Sequence, residues 1–279
     1  GPSIESLKKQ LEKSDADIKE EPKDAKNWLK RGELMLDIDQ AGVVGLREGA
    51  QEIEVKFAFG DPKETVIETL PNGDQRKVST YDNFTIYMNP ETNIVTHWMK
   101  NVQILEKPLE KAIEAFNKSM DYDEKGKMVK KIDNYIERLI EQINVNARLA
   151  YQMEDYEEAG RLFALAADLP NQLNNYGELV DDVTIDSSGY FNAGLAYYGA
   201  SNFEKSAEYF QKAIDLDYAL TDSYTRLYWS YIQQPDTTQA IASLEKAIGD
   251  LPNEIDFILL MIDLQIKKGN AEKAIKFIQ

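Results

Sequence analysis

The chain has 279 residues, and its 49 Asp and Glu outnumber 32 Lys and Arg to leave a formal net charge of −17. An acidic surface without a basic stripe repels phosphate backbones, which argues against DNA or RNA as a partner. The absence of cysteine removes disulfides, thiolate zinc sites and Cys nucleophiles, and no apolar run reaches the roughly 18 residues of a membrane span.

In chain order, the segment from Ser3 to Glu21 is highly charged, but Ile4, Leu7 and Leu11 give one apolar stripe at helical spacing, so a leading helix is predicted. No signal peptide is visible, and Gly1-Pro2-Ser3 reads as a processed or engineered start, compatible with a removed targeting segment. A second helix follows with Trp28, Gly32 and Met35. Residues 1–40 are therefore assigned to the leading helix and the first helix of a repeat.

Residues 41–106 differ in texture. A short helix is predicted over 50–59, then strands over 65–67, 76–81, 84–87 and 94–98. Pro71-Asn72-Gly73-Asp74 separates the first strand from the second, and the Asn89–Asn93 segment the third from the fourth, both with turn chemistry. The expectation is an antiparallel sheet with one face covered by the helix.

Residues 107–186 contain Ala112, Phe116 and Ser119 on one helix. A long helix from about Lys127 to Tyr151 comes next, followed by Ala159, Phe163 and Ala166 on another. Lys125, Lys127, Lys130 and Lys131 read as a solvated helix face. Asp121 to Gly126 begins like a calcium loop, but Lys125 replaces a ligand and Ile132 stands where the bidentate Glu belongs, so that reading is rejected. Asp181, Asp182 and Asp186 read as a solvated acidic loop rather than a cation site.

Residues 187–279 repeat themselves. Ser206, Ala240 and Ala274 are 34 residues apart, and units aligned from Ser187, Thr221 and Ile255 stay in register. The first unit has Tyr190, Gly194, Tyr197, Ser206, Phe210 and Ala213; the second has Tyr224, Leu227, Tyr231, Ala240, Leu244, Ala247 and Pro252. The third has Ile258, Met261, Gln265, Ala274 and Ile278. Small residues at the Gly and Ala positions let two helices approach, while large ones fill the space beside them. Tyr228 and Ile262 replace the small residue of Gly194, so looser or shifted helix contacts are expected there. Ile278-Gln279 falls inside the second helix of the last unit, which suggests a truncated unit or an external cap.

This period and pattern resemble the tetratricopeptide repeat (TPR), a helix-turn-helix unit of 34 residues. The resemblance implies a mainly α fold: a TPR α-solenoid, a right-handed superhelix, with a small α+β domain inserted in the first repeat. Gly32 to Ala112 spans 80 residues where an uninterrupted repeat has 12, so about 68 are inserted. Gly49, Val55, Gly60 and Pro62, with the ending Val95-Thr96-His97-Trp98, are similar to the helix-and-turn signature of the small outer-membrane lipoprotein family SmpA/OmlA. Ala50 and Phe59 depart from that family's usual Met and Leu. The whole arrangement resembles exported TPR proteins of Bacteroides-type bacteria, which implies the cell envelope or periplasm; the alternative is the cytoplasm.

In such a superhelix the first helix of each unit lines the concave face. Register places Asn144, Arg148 and Tyr151 there, then Phe191, Leu195 and Tyr198, then Thr225, Trp229 and Ile232, then Leu259, Asp263 and Ile266. Phe191, Leu195, Tyr198, Trp229 and Ile232 form an apolar strip, and with Tyr151 and Arg148 they are the candidate ligand groove. Chaperone-tail-binding TPRs clamp a C-terminal carboxylate with Lys and Asn at such positions. This chain lacks that set, so an acidic-tail clamp is not expected.

The function read from the sequence is a noncatalytic scaffold that binds a protein or peptide, with no cofactor and no catalytic or metal residues assigned. No His-Glu-x-x-His, Gly-x-Ser-x-Gly or Walker loop is present. The rival readings are an enzyme or metal site on the insert around His97, the single histidine, and a structural envelope protein that self-associates through solenoid ends.

Overall fold

The computed structural model describes residues 1–174, 177, 186–235 and 237–276. They form two compact units. The first is built on Gly1–Val145 and the stretch from Pro170; the second is built on Asn146–Leu169 and the helices from Ser187 onward.

The first unit opens with α1 (Ile4–Glu20), whose N-cap Ser3 accepts from the Ser6 amide, and α2 (Ala25–Asp39), whose N-cap Asp24 accepts from the Lys26 and Asn27 amides. These caps satisfy amides that a helix start leaves without a partner. The second helix of the repeat is α4 (Pro108–Asp121), packed along α2. A Cβ on Gly32 would lie 2.3 Å from the Phe116 ring, so only glycine permits that approach. Ser119 donates to the Ala25 carbonyl at 2.7 Å, and Trp28 is buried with its indole N–H on the Pro22 carbonyl at 2.8 Å.

Between these helices lies the inserted α+β element. Helix α3 (Glu52–Phe59) starts with a capping box between Gln51 and Glu54 and stops at Gly60, whose φ of 83° favours glycine. Four strands follow: β1 (Glu64–Thr69), β2 (Gln75–Thr80), β3 (Phe84–Met88) and β4 (Val95–Lys100). They form an antiparallel meander in the order β1-β2-β3-β4. The turns behave as their residues predict: Asn72 Oδ1 accepts from the Asp74 amide, and Asn89 Oδ1 from those of Glu91 and Thr92. Helix α3 covers one face, with Phe59 edge-on to Phe84 at 4.9 Å and Glu52 paired to Lys77 at 2.6 Å.

Here the structure exceeds the expectation of a single covered face, because every residue of β3 is buried. On the face away from Phe84, Ile86 and Met88, the Tyr87 ring stacks on His97 at 4.5 Å and the Arg76 guanidinium lies over it at 4.6 Å. Lys100 ties the sheet to the end of α2 through Asp39, carboxylate to ammonium at 3.1 Å.

Helix α5 (Val129–Gln152) contributes to both units. Its buried residues Ile132, Ile136, Leu139, Ile143 and Ala147 recur at helical spacing. In the first unit it meets α2 through Arg138 on Asp37 at 2.6 Å and Gln142 on the Leu36 carbonyl at 3.2 Å.

The second unit continues with α6 (Tyr156–Ala167), and the single turn α7 (Leu169–Gln172) that follows belongs from Pro170 to the first unit. The second unit resumes with α8 (Ser187–Gly199) and α9 (Phe203–Asp215), α10 (Leu220–Ile232) with α11 (Thr238–Asp250), and α12 (Ile255–Lys267) with α13 (Ala271–Lys276). These are the helix pairs the 34-residue register predicts. Ser206, Ala240 and Ala274 are all buried, and Ser206 Oγ donates to the Gly194 carbonyl at 2.9 Å. A Cβ on Gly194 would lie 2.8 Å from the Phe210 ring, the same glycine-on-aromatic contact as Gly32 with Phe116. Where Tyr228 replaces the small residue, α10 and α11 run close along less of their length than α8 and α9 do.

Candidate functional site

The repeat register builds a face on the first helices of the second unit. Residues at equal register share it: Arg148, Leu195, Trp229 and Asp263 form one row, and Tyr151, Tyr198, Ile232 and Ile266 the next. Contacts join the successive first helices directly. Gln233 donates toward the Tyr198 hydroxyl at 3.5 Å, linking α10 to α8. Tyr224 meets Phe257 edge-on at 6.1 Å, linking α10 to α12.

The candidate residues divide by exposure. Trp229 is 41% exposed and Tyr151 40% exposed. Arg148 is exposed as well. Phe191, Leu195, Tyr198 and Ile232 are half-buried. Phe191 lies edge-on to Phe210 at 5.4 Å, and with Leu195 and Ile232 it packs against the core of the unit. These residues form a floor, and Trp229, held edge-on to Tyr228 at 5.1 Å, rises from it. Tyr198 leans on Phe203 at 5.2 Å and Tyr151 on Tyr156 at 5.1 Å.

Two further residues on this face stand out more than the predicted strip: Leu259 is 55% exposed and Ile266 57%. Both hold register positions on this face, although the sequence marks α8 and α10 more strongly through their aromatic residues. The signal was the run Leu259, Asp263, Ile266, apolar at both ends on a face that α12 does not pack.

Below the face, tyrosine hydroxyls are locked as donors. Tyr190 donates to Asp168 at 2.6 Å and Tyr224 donates to Asp250. Burial, followed by these carboxylates, pushes both phenols well above their ordinary range, so they stay neutral.

His97, the centre of the rival reading, is 7% exposed. Its Nδ1 lies 2.9 Å from Thr96 Oγ1, and its Nε2 is buried without a partner. Burial, with a smaller contribution from Arg76, lowers its pKa to about 4, so the ring is neutral at pH 7. These are the surroundings of a packed ring. Among the described residues no group of three or more His, Asp or Glu side chains could hold a metal ion. Asp181 and Asp182 of the acidic loop lie outside the described residues. No helix among the described residues is long and apolar enough to cross a membrane.

Comparison with known proteins agrees at the level of the repeat. The tetratricopeptide repeat family profile matches residues 187–219, the unit formed by α8 and α9. Among solved structures, the chain is similar to the crystal structure of MamA, at 19% identity over 61% of this chain and 84% of that one, with a TM-score of 0.37. It is also similar to MamA 41-end from Desulfovibrio magneticus RS-1, at 13% identity over 62% and 82%, TM-score 0.36. A third is BtubC (BKLC) from P. vanneervenii, at 14% identity over 61% and 78%, TM-score 0.38. No curated protein matches the chain. The fold is thus a mainly helical TPR-like array carrying a four-stranded antiparallel sheet near its N-terminus.

Proposed function

We propose that the chain is a noncatalytic scaffold that binds a protein or peptide on the first-helix face of its second unit. The observation that carries this reading is the exposure of Trp229, Leu259 and Ile266 at register positions that share one face. Large apolar side chains gathered on a surface mark a binding site, and a central tryptophan is the most common strong anchor. On the same helices stand exposed Asp222 and Asp256, and Asp263 paired with Lys267 at 2.7 Å, in a chain of net charge −17. That combination selects a segment with apolar side chains flanked by Lys or Arg.

The envelope setting belongs to this proposal too. It is supported by the likeness of the insert to SmpA/OmlA and of the arrangement to exported repeat proteins, and cell fractionation tests it. The test of binding is affinity capture from an envelope extract, followed by titration of the captured partner against the wild type and Trp229→Ala. Roughly tenfold weaker binding of the variant, about 1.4 kcal/mol, supports the reading. Equal binding refutes it.

A further inference from the structure

Among the described residues β1 is an open sheet edge. Its inner side pairs with β2 in unbroken register from Glu64↔Thr80 to Thr69↔Gln75. Its residues are exposed throughout except for half-buried Glu68. Sheets normally blunt such an edge with lysine, proline, a bulge or a covering element. Within β1 there is no Lys, no Pro and no bulge.

The direction of its free groups follows from the ladder. The Leu70 amide donates to the Asp74 carbonyl at 2.8 Å, which fixes the phase of the hairpin. Antiparallel alternation then turns the N–H and C=O of Glu64, Val66 and Glu68 toward β2 and those of Thr65, Ile67 and Thr69 outward. The outward set is Thr-Ile-Thr, with the Ile67 side chain 52% exposed.

We propose that a second copy of this chain pairs with β1, antiparallel and centred on Ile67, so that the two meanders become one continuous sheet. In this register Ile67 faces its own counterpart and Thr65 faces Thr69 of the other copy. Each such pair can exchange two backbone hydrogen bonds. Charge selects the register. Centred on Ile67, Glu68 faces Val66 and Glu64 faces Leu70, so no carboxylate opposes another. Sliding the pairing by two residues in one direction sets Glu64 against Glu68, and in the other sets Glu68 against its counterpart. Like charges directly opposite destabilise a strand pair. One strand pair buries less than the ~1,200 Å² of a standard interface, so the dimer is reversible.

The chain has no cysteine, which makes cross-linking a clean test. Hydrogen-bonded antiparallel partners have Cα atoms about 5.5 Å apart, a separation a disulfide spans. In Ile67→Cys the two thiols meet across the axis. In Thr65→Cys they lie four residue steps apart, roughly 13 Å. Under mild oxidation Ile67→Cys should form the covalent dimer roughly tenfold faster than Thr65→Cys or more. Sedimentation should show the wild-type average mass rising with concentration. Ile67→Pro removes an outward N–H that the monomer's own ladder does not use. That variant should stay monomeric with its circular dichroism unchanged. Equal cross-linking of the two cysteine variants overturns the proposal. So does a wild type that is monomeric at every concentration, including one whose β1 amides gain protection only when an extended peptide of another protein is added. A dimer that survives Ile67→Pro overturns it as well, by assigning association to another surface.

Discussion

Two hydrogens set how closely the helices of this array approach: the missing side chains of Gly32 and Gly194, each facing a phenylalanine ring. Helix propensity alone favours alanine at Gly32 by ~1 kcal/mol. The Cβ would sit 2.3 Å from Phe116, which the buried ring resists. Overpacking of this kind costs ~1–3 kcal/mol, so Gly32→Ala should lower the urea midpoint despite its better propensity. Phe116→Leu should recover part of the loss in the double variant, because contacting sites couple. A raised midpoint for Gly32→Ala would contradict the packing. His97 gives a prediction with pH. Its folded pKa is about 4, against an ordinary 6.5. Between those values the unfolded chain binds a proton that the folded chain does not. This residue's contribution to stability is therefore complete above pH 6.5 and is lost as pH falls toward 4, by up to ~3 kcal/mol. His97→Phe keeps a ring against Tyr87 and should remove that part of the acid sensitivity. The readout is the difference in urea midpoint between pH 7 and pH 4.5, followed through Trp98; equal slopes in the two proteins would contradict it. The small-residue and aromatic positions were legible in the sequence because their chemistry repeats. The burial of His97 was not, because it depends on Arg76 and Tyr87 from neighbouring strands.

Among the elements, the helix pairs from Ser187 onward were legible almost to their ends, since one phase governs all of them. The insert was legible through its turns, where Asn72 and Asn89 fold back on their own backbones. What the sequence hid was the closing of both faces of β3, because strand alternation predicts only one covered face. The repeat also predicts how the insert can be removed. Gly194 to Phe210 is 16 residues and Gly32 to Phe116 is 84. Deleting residues 41–108 takes out that difference of 68 and leaves Ile38-Asp39-Gln40 in place of the Ala200-Ser201-Asn202 linker. Contacts in a solenoid are mostly between neighbours, so the remaining helices should keep their far-ultraviolet circular dichroism and a cooperative thermal transition. Loss of the helical signal would make the insert part of the array's core. In the second unit, Ala240→Leu should cost ~1–3 kcal/mol, since Ala240 is fully buried between α10 and α11. An unchanged denaturation midpoint would contradict that placement.

At the scale of the molecule, an acidic chain carries an apolar face on one unit and an open strand on the other. The register positions of the first helices were legible in the sequence, but which of them reach solvent was not. Phe191, Leu195 and Ile232 stay half-buried against the core, whereas Leu259 and Ile266 stand out, a division set by how each first helix packs on its neighbours. The net charge of −17 implies that association with a basic partner slows as salt rises, with a Debye length of about 8 Å at physiological ionic strength. Stopped-flow rates at low and high salt check this; rates independent of salt would contradict it. The central claim rests on Trp229. Trp28 and Trp98 are buried, so acrylamide quenching reports chiefly on this side chain. The decisive measurement is titration of the captured partner against the wild type and Trp229→Ala, with quenching and unfolding midpoints recorded on both. The account predicts that the partner shields the wild-type tryptophan and binds the variant at least about tenfold more weakly. It also predicts that stability changes by less than ~1 kcal/mol, against ~3–5 kcal/mol for a core aromatic. Equal affinity for both chains, or a loss of stability of core size, would contradict it.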